Sequence, residues 1–214
     1  MSYIAERRLE EKERRRAEIL DAAEAVAAQG SWDALTMDQV ARKARLSRAL
    51  VYVYFKDKND LLFGLGERSV LTLKQRFEAA IERNKRGLDQ VLGMGRAYLA
   101  FSQEFPVYFE VMARCELLGQ DGGENTDSNE EACRLGGDAV RGLMVAALAN
   151  GLKDGSVRAD VGDLKVVAIV LWGFTHGALQ LAATRAKVLA RDGVETRQLL
   201  EQALTMATRS IAAG

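Results

Sequence analysis

Several residue types are scarce in this sequence, and each scarcity argues against a class of protein. One proline and the lack of alternating β-branched runs argue against a β-rich fold and favour an all-α one. The two cysteines, Cys115 and Cys133, lack CxxC spacing, which favours a reducing compartment over a disulfide framework. The uninterrupted apolar run at residues 166–171 is too short to cross a bilayer. Residues 1–16 are charged rather than apolar, so we expect no signal peptide and a cytoplasmic location.

Catalytic and metal-binding motifs are also missing. The sequence has no Gly-rich phosphate loop, nucleophile elbow or HExxH motif. The single histidine, His176, has no companion ligands at a spacing suited to a metal. A Cys115 or Cys133 nucleophile with His176 as its base is favoured neither by spacing nor by flanking sequence. We therefore expect no catalytic residues, no metal and no cofactor.

The most informative stretch that is present runs from Thr36 to Leu62, TMDQVARKARLSRALVYVYFKDKNDLL. Thr36 and Ser47 are good N-caps, and each is followed by apolar residues at helical spacing. These are Met37, Val40, Ala41 and Ala44 in the first helix and Leu50, Val51, Tyr54 and Phe55 in the second. Arg45 and Leu46 break the period between them, and the small residues permit a close crossing. The pattern predicts a helix-turn-helix, a unit that reads DNA.

Basic residues are concentrated in this stretch, although the whole chain has a formal net charge of zero. From Arg42 to Lys58 there are six cations and one acid, Asp57, so the local net charge is +5. The cations are Arg42, Lys43, Arg45, Arg48, Lys56 and Lys58. Such an excess is typical of a nucleic-acid-binding surface. A solvated basic face on a small helical bundle is the alternative; the agreement of caps, turn and cations favours DNA binding.

The run LSRALVYVYFKDKNDLL resembles the recognition-helix signature of the TetR (tetracycline-repressor-like) family of bacterial transcriptional regulators. In that signature a small residue or Ser precedes an aliphatic-Tyr-x-(His/Tyr)-Phe-Lys-x-Lys run, and the resemblance covers roughly residues 16–64. The family usually has Gly where this chain has Arg45, so either Arg45 adopts a left-handed backbone or the turn differs. The resemblance implies an all-α fold, a phosphate contact from Lys58, a ligand pocket in a second domain, and dimerisation through the last two helices.

The chain divides by pattern into three segments. We place a helix-turn-helix DNA-binding domain with a charged N-terminal extension at 1–58, a linker helix at 59–85, and a larger ligand-binding and dimerisation domain at 86–214. The charge pattern of residues 3–18 predicts an exposed extension of a first helix, and we expect that helix to end at Gly30. Its arginines are candidates for the DNA minor groove, but the interspersed glutamates favour a solvated helix. Further helices are predicted over 88–103, 105–118, 130–152, 161–189 and 195–212, with a polar loop at 119–129.

Candidate site residues follow from these assignments. Base readout is assigned to Ser47, Arg48, Ala49, Leu50 and Val53, of which Arg48 suits guanine and the apolar ones suit thymine methyls. Phosphate contacts are assigned to Thr36, Tyr52, Tyr54, Lys56 and Lys58. The ligand-pocket candidates, which are equally consistent with core packing, are Tyr98, Phe101, Phe105, Tyr108, Phe109, Met112, Met144, Trp172 and His176. The dimer-interface candidates are Leu164, Ala168, Gly173, Gly177, Leu200, Leu204 and Ala207.

The hypothesis from sequence is a ligand-responsive, one-component transcriptional repressor. Its expected partners are a palindromic double-stranded DNA operator, a second copy of the chain and a small, mostly apolar effector that releases the DNA; no membrane is expected. It would lie in the bacterial cytoplasm, on the nucleoid when bound to DNA. The alternatives are a constitutive, effector-independent DNA-binding dimer and a helical enzyme that uses the C-terminal pocket.

Overall fold

The computed structural model describes residues 3–118 and 128–214. Within these ranges the chain is helical, apart from turns and one isolated antiparallel bridge between Val157 and Ala212, so the predicted all-α class is confirmed. The helices in chain order are α1 (Tyr3–Ala27), α2 (Met37–Ala44), α3 (Arg48–Tyr54), α4 (Lys58–Arg83), α5 (Gly87–Glu104), α6 (Pro106–Leu118), α7 (Ser128–Asp154), α8 (Leu164–Thr184), α9 (Ala186–Arg191) and α10 (Thr196–Ile211). The predicted loop at 119–129 lies mostly outside the described residues, and its last two residues begin α7.

The helices form two compact units. Unit 1 contains the described residues of Met1–Val70 and Phe105–Leu135, and unit 2 contains Leu71–Glu104 and Gly136–Gly214. Both α4 and α7 therefore contribute residues to each unit. This division differs from the ranges drawn on the sequence, because α6 groups with the helix-turn-helix instead of with the C-terminal helices. The functional roles given to those ranges stay predictions.

Long-range polar contacts hold α6 in unit 1. Tyr108 Oη donates to Glu24 Oε2 of α1 at 2.8 Å, and burial together with this hydrogen bond raises the pKa of Tyr108 to about 12. Arg114 donates to both carboxylate oxygens of Asp33, at 2.8 and 2.9 Å. Neither partner is visible in the local pattern of α6, so the sequence did not indicate this packing.

The N-terminal part of unit 1 follows the predicted pattern closely. The first turns of α1 are exposed, and the buried stripe begins at Ile19. The helix ends at Ala27 instead of at Gly30, because the N–H groups of Gln29 and Gly30 bond three residues back and tighten the last turn. Trp32 and Leu35 are buried and close this small core.

Unit 2 is built on the packing of α10 against α8 and α5. The end of α10 is tied to the turn after α7, since Arg158 N donates to Ile211 O at 2.9 Å. That turn also caps α5: the Asp154 carboxylate accepts from Gly87 N at 2.7 Å. A Cβ on Gly87 would overlap the backbone of Gly151, so glycine is required where α5 crosses α7.

The predicted helix over 161–189 is wrong, because two helices occupy this region. It forms α8 and the short α9, which are separated at Arg185, whose φ is −121° and ψ 18°. The helix cannot include Gly162, which has a φ of 96°, and the Asp163 carboxylate accepts hydrogen bonds of 2.9 and 3.0 Å from backbone N–H groups of the first turn of α8. Gly193, with a φ of 72°, follows the end of α9.

By length and composition alone, α8 is able to cross a membrane. This helix of 21 residues has a mean hydropathy of 1.6 over its most apolar window, of which 28% is buried. Helix α8 has no long uninterrupted apolar run, because Thr175, His176 and Gln180 interrupt the apolar residues. Packed helices of globular proteins can have the same length and composition, so one such helix is weak evidence for a membrane span.

Candidate nucleic-acid interface

Two side chains cap the helices of the helix-turn-helix as predicted. Thr36 and Gln39 form a capping box, in which Gln39 N donates to Thr36 Oγ1 at 3.3 Å and Thr36 N donates to Gln39 Oε1 at 2.8 Å. Ser47 caps α3, since its Oγ accepts from Leu50 N at 3.2 Å. The two caps fix where α2 and α3 begin.

The turn between α2 and α3 depends on one residue with an unusual backbone. Arg45 has φ 57° and ψ 37°, the left-handed conformation that was one of the two outcomes expected in place of glycine. The turn is closed by Leu46 N, which donates to Ala41 O at 3.0 Å, a bond typical of helix ends with a left-handed residue.

Helix α3 has one buried face and one exposed face. Val51 on α3 and Phe55, the residue that caps its end, are fully buried. Arg48, Ala49 and Val53 are exposed, and Val53 is 77% exposed although it is apolar. Of the five residues assigned to base readout, four are exposed and Leu50 is half-buried. Their role in base readout stays a prediction.

Arg48 is held by two neighbours on the exposed face. Its Nε lies 3.1 Å from Asp38 Oδ1 of α2, and its guanidinium lies 5.5 Å from the ring centroid of Tyr52. The hydrogen bond to Tyr52, followed by the charge of Asp38, raises the pKa of Arg48. Asp38 was not among the predicted site residues. The helix dipole alone explains an acidic residue in the first turn of α2, so local pattern does not indicate this pairing.

Besides Tyr52, which contacts Arg48, the predicted phosphate-binding side chains Thr36 and Lys58 have partners within the chain. The Thr36 hydroxyl takes part in the capping box. Lys58 Nζ donates to Asp33 O at 3.0 Å and lies 5.9 Å from the Trp32 ring centroid. Burial lowers the pKa of Lys58. An ammonium group has three donors, so this contact leaves capacity for a phosphate. The phosphate contacts of Tyr52, Tyr54 and Lys56 stay predictions as well.

Three of the predicted pocket residues meet within unit 2. Tyr98 Oη lies 2.8 Å from His176 Nδ1, and Trp172 lies 5.8 Å from His176 between ring centroids. Gln180, which the sequence analysis did not single out, places its amide nitrogen 3.3 Å from His176 Nε2. Burial lowers the pKa of His176. We call Tyr98, Trp172, His176 and Gln180 the aromatic cluster.

Other predicted pocket residues have different surroundings. Phe105 stacks on Tyr108 within unit 1, with centroids 5.3 Å apart and planes 11° apart. Phe101 of unit 2 is fully buried, and Phe109 of unit 1 is buried. Met112 of unit 1 and Met144 of unit 2 are half-buried. A role in ligand binding stays a prediction for all of them.

The predicted dimer residues differ in how far they are buried. Ala168, Leu200 and Leu204 are buried within the single chain, because α8 and α10 use these faces to pack on each other. Gly173 and Gly177 are exposed. Leu164 and Ala207 are half-buried. Beside the two glycines, α8 exposes an apolar stripe that the prediction did not name: Val166, Ile169, Val170, Phe174 and Leu181. We call these five residues with the two glycines the α8 stripe.

Comparison with known proteins identifies the family. Residues 19–65 match the family described as bacterial regulatory proteins, tetR family. This segment is similar to the DNA-binding domain of the TetR family. The matched segment contains α2, α3 and the start of α4, together with the buried part of α1, so the helix-turn-helix is the DNA-binding domain that characterises TetR-family proteins. It is nearly the segment in which the sequence resemblance was recognised.

A curated relative agrees with the family match of this segment. The HTH-type transcriptional regulator HbdR of Aromatoleum sp. (strain CIB) is 38% identical over 79 residues, which are 36% of this chain and 31% of that protein. The chain therefore matches about a third of the length of this curated relative.

Among solved structures, two examples are similar over most of this chain. The repressor of the Stenotrophomonas maltophilia multidrug efflux pump SmeDEF, SmeT, is 23% identical, with a TM-score of 0.67 and coverage of 92% of this chain and 90% of that one. A TetR-family transcriptional regulator from Agrobacterium tumefaciens is 15% identical, with a TM-score of 0.70 and coverage of 94% and 100%. At such identities the likeness concerns the fold alone.

Proposed function

We propose that this chain is a homodimeric, ligand-responsive transcriptional repressor that binds a palindromic operator in the cytoplasm. The observation that carries the proposal is the two-faced α3. Its buried face fixes it to the domain through Val51, and its exposed face presents Arg48, Ala49 and Val53 beside the cluster of cations. A short helix exposed in this way fits the major groove, where arginine reads guanine and apolar side chains meet thymine methyls.

The first test is binding to random-sequence duplex DNA over a salt series, measured by fluorescence anisotropy. Phosphate contacts release counterions, so affinity should fall steeply as salt rises. Lys56→Ala should weaken binding to all sequences and lower the salt slope by roughly one unit per subunit. Lys187→Ala, which removes an exposed lysine from α9 of unit 2, is the matched control and should leave the slope unchanged. Failure to bind DNA even at low salt would reject the proposal.

The α8 stripe supports dimerisation. Its apolar side chains are 44% to 61% exposed in the single chain, and soluble proteins seldom leave a contiguous apolar face of this kind uncovered. Two copies related by a two-fold axis would bury the stripe against itself, with Gly173 and Gly177 allowing the helices to approach closely. Val170→Asp should shift the protein towards monomer in sedimentation experiments. Leu9→Asp, at an exposed leucine of α1, should not.

The aromatic cluster supports an effector site in unit 2. It combines aromatic surface with polar atoms at Tyr98, His176 and Gln180, a composition suited to a mostly apolar ligand that carries one polar group. Helix α4 leads from the end of the helix-turn-helix into unit 2, so a change in its tilt would alter the spacing of two recognition helices in a dimer. Effector and operator would then oppose each other's binding by linkage.

The effector site can be tested with Trp172 as reporter. The chain has two tryptophans, so Trp32→Phe leaves Trp172 as the single source of indole fluorescence. Aromatic compounds that release DNA should change this fluorescence over the same concentration range. Simultaneous binding of ligand and DNA without loss of either affinity would contradict the mechanism. The absence of any releasing ligand would favour the constitutive DNA-binding dimer.

A further inference from the structure

The two cysteines of the chain meet at one glycine of α4. A carbon in the Cβ position of Gly66 would lie 2.5 Å from Cys115 Sγ of α6 and 2.8 Å from Cys133 Sγ of α7. Both sulfurs therefore lie beside each other against the backbone of α4, in space that any other residue at position 66 would fill. Both cysteines are buried, and they are the only two in the sequence.

The surroundings make the two thiols chemically different. Cys115 Sγ lies 3.7 Å from Leu62 O, to which its thiol donates when both cysteines are neutral. A hydrogen bond from Cys115 stabilises the thiolate of Cys133 and lowers the pKa of Cys133. The same bond, together with burial, raises the pKa of Cys115. Cys133 is thus the sulfur that loses its proton first, with a thiol beside it that can react in a second step.

We propose that Cys115 and Cys133 form a redox-active dithiol that a hydroperoxide converts into an intramolecular disulfide. The Cys133 thiolate attacks the terminal peroxide oxygen, the O–O bond breaks, and the alkoxide or hydroxide leaves and takes up a proton. The resulting sulfenic acid is attacked by Cys115, which loses its proton while the sulfenic hydroxyl leaves as water. The thiols lose two electrons in total, and the peroxide bond is reduced by them.

A chain of contacts leads from this pair towards the recognition helix. Asn129 lies one turn before Cys133 on α7. Its side chain donates to Asp60 Oδ1 at 2.7 Å and accepts from Arg16 at 2.9 Å. Closing a disulfide draws the sulfurs from non-bonded contact to about 2.05 Å, so α6 and α7 must shift against each other. Asn129 and its two hydrogen bonds then move with α7.

Both partners of Asn129 contact the residues that end α3. The Asp60 carboxylate accepts from Lys56 N at 2.9 Å. The Arg16 guanidinium lies 5.7 Å from the ring centroid of Phe55, which is fully buried. Oxidation therefore disturbs the support of the recognition helix, and we expect it to weaken DNA binding. This second step rests on the proposed DNA binding, whereas the disulfide itself does not.

The disulfide is tested by treating the reduced full-length chain with hydrogen peroxide. We expect both thiols to become unreactive towards a maleimide under denaturing conditions, the mass to fall by two hydrogen atoms, and no cross-linked dimer on a non-reducing gel. Cys115→Ser and Cys133→Ser should each show neither the mass loss nor an internal cross-link. Retention of both thiols, a gain of oxygen without loss of hydrogen, or a disulfide between chains would overturn the proposal.

The coupling is tested by DNA affinity before and after oxidation. We expect a loss of about fivefold or more, which dithiothreitol reverses and Cys115→Ser abolishes. Asn129→Ala should still form the disulfide but lose most of this effect, whereas Asn150→Ala, the same change on α7 in unit 2, should keep it. Complete disulfide formation with unchanged affinity would refute the coupling. If the reduced chain binds no DNA, the proposed function fails, and the thiol count still decides the disulfide.

Discussion

Replacing Asp38 by asparagine should change two properties of DNA binding in opposite directions. In the free chain Asp38 Oδ1 lies 3.1 Å from Arg48 Nε, with Tyr52 beside the guanidinium, so under the proposed function the arginine would enter the groove already oriented. Both members of the pair are more than half exposed, at 64% and 53%. The ion pair therefore orients Arg48 more than it adds to the free energy of unfolding, so Asp38→Asn should fold normally.

The expected sizes follow from simple electrostatics and contact geometry. A unit charge about 8 Å from a phosphate in water changes affinity roughly twofold, so loss of the Asp38 charge should strengthen binding to random DNA by about that factor per subunit. A bidentate arginine–guanine contact is worth about 5- to 150-fold in discrimination. Arg48→Ala should lose that preference, and Asp38→Asn should lose part of it because the guanidinium then samples more orientations.

The assay is selection from randomised duplexes followed by sequencing, combined with affinity for random DNA. Asp57→Asn is the matched control, since it removes an exposed charge from the same domain. Asp57 Oδ1 accepts a hydrogen bond of 2.8 Å from Asp60 N, and the oxygen of an asparagine side chain can still accept that bond. This control should raise random-sequence affinity and leave base preference unchanged. If Asp38→Asn behaves like Asp57→Asn in both measurements, Asp38 does not position Arg48.

Three further predictions concern stability and are checked by thermal unfolding followed by circular dichroism. Arg45→Gly should stabilise the chain by about 0.5–1 kcal/mol, because φ 57° is unfavourable for a residue with a side chain, and Arg45→Ala should not. Gly87→Ala should destabilise it by about 1–3 kcal/mol through overlap with Gly151, whereas Gly142→Ala, at a helical site with open space, should be neutral or stabilising by up to about 1 kcal/mol. Burial lowers the pKa of His176, so folding disfavours its proton. Stability should therefore fall as pH drops below about 6.5, and His176→Gln should flatten this dependence; an equal slope in both proteins would exclude His176 as its source.

Local rules were sufficient to predict the helix-turn-helix. The caps at Thr36 and Ser47 and the buried positions Val40 and Val51 are set by residues within a few positions along the chain, so the pattern contains them. Even the left-handed turn was foreseen as one of two outcomes. Pairings between distant elements were not predictable in this way. The Arg48–Asp38 pair and the two sulfurs at Gly66 depend on how helices cross, which helical periodicity does not specify.

The same distinction explains the assignment of the aromatic residues. Tyr98 and Tyr108 are alike in sequence terms, since both lie in apolar helices rich in aromatics. Yet Tyr98 contacts His176 in unit 2, and Tyr108 donates to Glu24 in unit 1. A buried hydroxyl needs a hydrogen-bond partner. The position of that partner decides whether the tyrosine ring packs in unit 1 or in unit 2.

In helix α8, composition and burial together indicate which side is left for a dimer interface. Its apolar character indicated that both sides would be covered, but periodicity alone did not reveal which side packs within the chain. The buried residues Ala168, Leu171 and Thr175 answer that question, because α10 packs on α8 within unit 2. The exposed large apolar residues of α8 all lie in the α8 stripe, and the interface prediction moves from Leu200 and Leu204 to that stripe. A dimer variant at Leu200 or Leu204 would damage the core of one chain, whereas Val170→Asp changes only an exposed side chain and so separates association from folding.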